Sequence, residues 1–154
     1  MNDAPPILVR ATRRYPVPPR RVYDAWLDPA QARRFLFATP GGEMLRIEID
    51  ARVGGGFTVV ERRESGDASH YGVYLELDPP HRIVFAFSLE GRDPDADRVS
   101  IDIVADGDGC IVTLVHVMAA EWADYTERTE AGWMHILGSL DGVLAAGSHG
   151  ASTR

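Results

Sequence analysis

A single cysteine, Cys110, stands among 154 residues, so the chain cannot close an internal disulfide, and its cysteine usage gives no sign of an oxidising compartment. Cys110 follows the turn Asp106-Gly107-Asp108-Gly109 at the mouth of a strand, where a small apolar residue fits, and is read as inert. Positive charge is also scarce: the 16 basic residues are all arginine, against 23 acidic ones, for a net charge of −7 and a pI near 5.1. The chain therefore lacks the clustered positive charge that draws proteins to phosphate backbones or anionic lipid, which excludes nucleic acid as an expected partner. The missing lysines are ascribed to coding bias and carry no functional weight. No run approaches the roughly 18 consecutive apolar residues of a membrane span, and the opening stretch MNDAPPILVRATRR lacks the apolar core of a signal peptide. A cytoplasmic protein without a membrane span is expected.

Catalytic and metal signatures are sparse as well. His70, His81, His116, His135 and His149 show no ligand spacing such as two histidines four apart on a helix, so no metal is expected. Asp93-Pro94-Asp95-Ala96-Asp97 resembles the first half of a calcium loop, but Arg98 stands where glycine is needed and a strand follows, which makes it a hairpin loop. Gly54-Gly55-Gly56 lacks the Lys-Ser/Thr and the helix of a phosphate loop. No Gly-x-Ser-x-Gly elbow is present and Cys110 has no base nearby in sequence, which disfavours a covalent hydrolase. No cofactor is expected.

What the chain does have is 45% hydrophobic and 25% charged residues, the composition of one folded domain. A chain of this length buries roughly 68–70% of the surface it exposes when unfolded, and needs no staples. A single domain is expected over 7–146, with polar, flexible ends at 1–6 and 147–154. Ile7 to Arg14 reads as a strand, which the Pro16-Val17-Pro18-Pro19 cluster stops while presetting a helix. Val22, Ala25 and Trp26 share one helical face, and Ala32, Phe35 and Leu36 form the face of a second short helix that Asp28 caps, Pro29 opens and Gln31 braces. From 45 to 118 the period changes to two: Leu45–Ile49, Gly55–Glu61, Tyr71–Leu77, Arg82–Leu89, Arg98–Ala105 and Ile111–Met118 read as six strands of an antiparallel meander. Residues 121–146 return to helical spacing, with Trp133, Leu137, Leu140 and Leu144 on one stripe and Asp124 with Glu127 as a capping pair. One curved sheet wrapped around this last helix buries both the stripe and one face of every strand.

Several segments together resemble a known family. They are Val22-Tyr23-Asp24-Ala25-Trp26-Leu27-Asp28-Pro29, Arg52-Val53-Gly54-Gly55-Gly56-Phe57, Gly72-x-Tyr74-x-Glu76, Asp78-Pro79-Pro80-His81-Arg82-Ile83-Val84-Phe85, Val112-Thr113-Leu114-Val115-His116, and Gly132-Trp133 with Leu137 and Leu140. In this order they resemble the bacterial SRPBCC (START-like) superfamily and, within it, the branch named after the activator of the heat-shock-protein-ninety ATPase. The resemblance covers about residues 7–146. It implies an α+β helix-grip fold: a curved seven-stranded antiparallel sheet, two short helices after the first strand, and a long C-terminal helix with an apolar cavity between helix and sheet. One departure follows the second helix, where an aromatic pair is common in the family; here the segment is Arg34-Phe35-Leu36-Phe37-Ala38-Thr39-Pro40, expected to reshape the pocket entrance.

Period two places Gly72, Tyr74 and Glu76 on one strand face, which the family pattern makes concave. A carboxylate partly buried there would have a raised pKa and could hold a polar ligand group or move a proton; the alternative is an ion pair between Glu76 and an arginine at the sheet rim. His116 shares its face with Val112, Leu114 and Met118 and reads either as a pocket group or as a satisfied core histidine. Glu76 and His116 are thus the catalytic candidates if chemistry occurs. The aromatic residues Trp26, Phe35, Phe57, Tyr74, Phe85, Phe87 and Trp133 would be core in most folds and become pocket wall in a hollow one. The apolar positions Val59, Ile101, Ile103, Leu114, Leu137 and Leu140, with Gly72 leaving space among them, complete the expected lining.

The function expected is binding of a small hydrophobic or amphipathic molecule between the last helix and the sheet, with Glu76, His116 and Tyr74 orienting it. The alternatives are a cyclase, dehydratase or hydrolase built on the same groups, and a chaperone- or stress-linked interaction protein, suggested by the family name alone. A monomer and a homodimer are both compatible with the sequence, which carries no coiled-coil heptad.

Overall fold

The computed structural model describes residues 5–152, with side chains to residue 145; of the expected flexible ends, residues 1–4 and 153–154 lie outside this range, and the backbone of 147–152 belongs to the last helix. Strand β1 (Ile7–Tyr15) leads through the proline cluster into α1 (Pro19–Leu27) and α2 (Pro29–Ala32). Six strands follow: β2 (Glu43–Ile49), β3 (Gly56–Arg63), β4 (Gly66–Asp78), β5 (Arg82–Ser88), β6 (Asp97–Asp106) and β7 (Gly109–Met118). A 3-10 turn (Ala120–Tyr125) then leads into α3 (Thr126–Ser152). The strands form one antiparallel sheet in the order β1-β7-β6-β5-β4-β3-β2, so every sequential pair but β1–β2 is a hairpin and the two short helices carry the chain from one edge to the other. This is the helix-grip architecture, with α3 packed against the concave face.

Local chemistry accounts for the junctions. Pro19 opens α1, whose buried side is Val22, Tyr23, Ala25 and Trp26. Asp28 caps α2, accepting from the Ala30 N–H at 3.1 Å and from the Gln31 side-chain amide at 2.9 Å. Gln31 thus braces the cap through the Asp28 carboxylate. Polar contacts help fix α3 to the rest: the buried Tyr15 hydroxyl donates to the Leu137 carbonyl at 2.7 Å, Arg21 donates to the Leu144 carbonyl at 2.8 Å, and Arg13 pairs with Asp141.

Three expectations are corrected. β4 does not begin at Tyr71, because Arg63 pairs with Gly66 and Gly66, at φ +120°, already takes the backbone into the strand. That strand therefore reaches back past Tyr71 to include His70. Asp124 and Glu127 do not cap the last helix: the 3-10 turn runs through Asp124 and the Thr126 hydroxyl donates to the Ala123 carbonyl at 2.8 Å. The third concerns Glu76. The β4–β5 register slips between Tyr74, which pairs with Phe85, and Glu76, which pairs with Val84, so Leu75 is an extra residue in a bulge. A bulge breaks the alternation of faces, and Glu76 leaves the face of Gly72 and Tyr74 for the outer one.

Candidate functional site

The concave face divides into a filled part and a hollow part. Phe57, Val59, Tyr74, Phe85, Ile101, Ile103, Leu114, Leu137 and Leu140, with Trp26 and Phe35 from the helical segment, are buried in one continuous core. Phe57 meets Phe85 edge-on at 5.1 Å, and Trp26 meets Phe35 edge-on at 5.2 Å. These eleven expected wall residues are packing. Gly72 belongs with them: a side chain there would run into the Phe57 ring. Glu76 stands outside, its carboxylate 3.3 Å from Arg82, which also holds Asp102 at 2.6 Å; this is the rim ion pair rather than a pocket carboxylate.

The hollow part is a cavity of about 790 Å³ between the first half of α3 and the ends of β5, β6 and β7, within the size range of small-molecule sites. Of the residues expected from the sequence, Phe87, His116 and Trp133 line it. Sequence reasoning missed the others. Phe37 and Thr39 enter from the turn after α2, Arg63 and His70 from β3 and β4, and Asp97 from the start of β6; the 3-10 turn and α3 supply Trp122, Tyr125, Arg128, Gly132 and Ile136. Carrying the period of two from Gly72 back to His70 would have found the latter. No periodicity reaches Phe37, which stands in a turn at φ +59°.

His116 is held on both sides. The Trp133 indole N–H donates to its Nδ1 at 3.0 Å, and its Nε2 lies 3.0 Å from Asp97 Oδ2. Because indole only donates, Nδ1 carries no proton and Nε2–H donates to the carboxylate. Burial lowers the His116 pKa, with Asp97 opposing. The imidazole is thus a neutral link between sheet and helix, with no free nitrogen to act as a base, and Glu76 is not its partner.

Glu61, 1% exposed, clamps the loop that brings Phe37 and Thr39 to the cavity. It accepts from the Thr39 N–H at 2.7 Å and the Thr39 hydroxyl at 2.8 Å, and from Arg63 Nε at 2.7 Å. Burial alone would raise its pKa, but these donors hold the carboxyl below its usual range. Arg63 also donates to the Phe37 carbonyl at 3.1 Å, which leaves the guanidinium fixed on the cavity wall.

His70 is 8% exposed, and its Nδ1 has no hydrogen-bond partner among the described residues. Burial, reinforced by nearby Arg63, pushes its pKa down to about 4. A histidine pKa lowered on folding means that the unfolded chain takes up the proton first as pH falls. Its contribution is therefore complete above about 6.5 and lost between there and about 4, to the extent of about 3 kcal/mol. Thermal melting across this window should show the loss, and His70→Phe should flatten the profile; an unchanged acid limb in that variant would assign the loss elsewhere.

Among the described residues no group of three or more His, Cys, Asp or Glu could hold a metal ion, and no helix is long and apolar enough to cross a membrane. The family model described as Activator of Hsp90 ATPase homolog 1-like protein matches residues 16–145. None of the curated proteins compared matches the chain. Among solved structures, a protein from Chromobacterium violaceum is 27% identical with a TM-score of 0.76, over 89% of this chain and 96% of that one. A protein from Nitrosomonas europaea has a TM-score of 0.78 at 15% identity, over 97% and 99% of the two chains. An AHSA1-like protein from Aeromonas hydrophila has a TM-score of 0.73 at 20% identity, over 90% and 94%.

Proposed function

The chain belongs to the Activator of Hsp90 ATPase homolog 1-like family, whose START-like fold supports a ligand-binding or interaction domain, and on that premise we propose that it binds a small amphipathic molecule in the cavity between α3 and the sheet. The observation that carries this reading is the contrast within one concave face: tight packing beyond Phe57 and Phe85, and about 790 Å³ of open volume walled by Phe37, Phe87 and Trp133. The apolar walls would provide most of the affinity, at roughly 25 cal/mol per Å² of apolar surface removed from water, less the freedom the ligand loses. Arg63, fixed by Glu61, and Arg128 offer cationic groups at the lining to a polar end.

Acid–base catalysis is the weaker reading, since both nitrogens of His116 are engaged and Glu76 faces outward. An interaction role has one observation in its favour: Leu89, Trp122 and Tyr125 are exposed large hydrophobics on the cavity lining.

Gly132 gives the direct test of the binding reading. It lines the cavity on α3, and a Cβ added there meets nothing within 4 Å. Gly132→Leu should leave the fold intact or stabilise it by up to about 1 kcal/mol through helix propensity. The same variant should weaken binding of a fluorescent amphipathic probe, 8-anilinonaphthalene-1-sulfonate, by about tenfold or more, the effect of losing some 1.4 kcal/mol of contact. Unchanged affinity in a folded variant, or no saturable binding by the wild type, would count against the cavity as the site.

A further inference from the structure

Three rings on the cavity lining lie in nearly parallel planes. Phe37 stacks on His70 at 4.1 Å and 4° and on Phe87 at 5.2 Å and 9°. His70 and Phe87 are themselves 6.2 Å apart and 12° from parallel, too close for Phe37 to stand between them. They lie side by side on adjacent strands, a floor two rings across, and Phe37 lies flat on top. Trp133 meets Phe87 at 65° and 5.8 Å and so stands as a wall beside this floor.

The covering ring is held under strain. Phe37 has φ +59° and is the one non-glycine residue with positive φ among the described residues, in a region where a bulky side chain is an outlier. The loop is anchored at two points, Thr39 by Glu61 and the Phe37 carbonyl by Arg63. Rotation about Phe37 would relieve the strain and lift the ring, and it would give up the Arg63 bond to the Phe37 carbonyl. Stacking on the floor opposes that motion. A planar ring arriving from the cavity can replace the stacking that Phe37 gives up, whereas a saturated, puckered group cannot lie flat on both rings.

We propose that the His70–Phe87 floor is a binding subsite for a planar aromatic ring of the ligand, and that Phe37 occupies it as a displaceable stand-in. This rests on the cavity being the binding site and adds the ligand's chemical class and the residue that selects it. The apparent affinity of the wild type is then reduced by the fraction of molecules in which Phe37 is displaced.

Phe37→Gly tests this, since glycine accepts the positive φ and leaves the floor bare. The probes are 2-naphthol and its saturated counterpart decahydro-2-naphthol, which share a carbon skeleton and differ in planarity. On going from wild type to Phe37→Gly, the dissociation constant of 2-naphthol should fall about tenfold or more, and that of the saturated alcohol by less than about threefold. Equal gains for the two would mean that the variant only adds volume, overturning the subsite while leaving cavity binding in place. Binding of neither probe to either protein at millimolar concentration would overturn both. The wild type supplies a test that does not depend on the variant folding: with 2-naphthol saturating, NMR should show ligand contacts to the His70 and Phe87 rings and loss of the Phe37–His70 contact. Ligand contacts confined to Trp122 and Tyr125 would overturn the subsite.

Discussion

Gly72→Leu should unfold the protein rather than fill its cavity. Gly72 faces Phe57 on one neighbouring strand and Phe87 on the other, and any side chain there would run into the Phe57 ring. That ring is 1% exposed, edge-on to Phe85 and close to Tyr74 and Phe37, so it cannot retreat without moving the whole aromatic cluster. Overpacking costs typically about 1–3 kcal/mol, which is what Gly72→Ala should show as a lowered urea midpoint. Leucine adds three further carbons against a total stability of about 5–15 kcal/mol, and far-UV circular dichroism should find the variant largely unfolded. A Gly72→Leu protein that melts with the wild type would mean that Phe57 has somewhere to go, and that the core behind it is hollow.

Removal of the Trp133 side chain should be nearly as damaging, with a different signature. Trp133→Ala deletes a wall of the cavity and leaves His116 Nδ1 without its donor, at a cost of about 3–5 kcal/mol. Trp133→Phe keeps a wall and loses only the N–H, at about 1–3 kcal/mol. The phenylalanine variant carries the sharper test. In the wild type, protonating His116 sets an imidazolium N–H against an indole N–H; without the indole that conflict disappears and Asp97 is free to favour the charged form. The His116 pKa, lowered in the wild type, should rise in Trp133→Phe, as an NMR titration of its ring protons would show. Since a histidine pKa lowered on folding costs stability as pH falls below its unfolded value, raising it should also soften this residue's share of the acid limb. An unmoved His116 titration would mean that the indole bond does not govern its protonation.

The element order was legible because each transition carries its own chemistry. The proline cluster before α1, the Asp28 cap, the alternation along β6 and β7 and the stripe from Trp133 to Leu144 are local signals, set by steric limits on the backbone and by the periods of helix and strand. Reading failed where a local count was interrupted. Leu75 bulges out of β4 and reverses the facing of everything after it, so counting two from Tyr74 puts Glu76 on the wrong side of the sheet. Glu64-Ser65-Gly66-Asp67 has the composition of a loop, yet Gly66 already pairs with Arg63, so the strand that holds His70 starts well before Tyr71.

The sequence by itself determined the antiparallel sheet, its helix and most of the apolar residues that turn inward, because burial of alternate strand positions and of one helical stripe removes this pattern's apolar surface from water. It could not determine which inward residues meet one another and which face open space. A phenylalanine in a filled core and one on a cavity wall are selected by the same hydrophobic effect, and the difference lies in distances between elements far apart in the chain. Tertiary structure alone decided that Phe57 and Phe85 close on each other within the core while Phe87 and Trp133, though in edge contact, also border open space. It also bound His116, one of the two catalytic candidates, between an indole from α3 and a carboxylate from β6, and it laid Phe37, from a turn with no periodicity, over the rings of two strands.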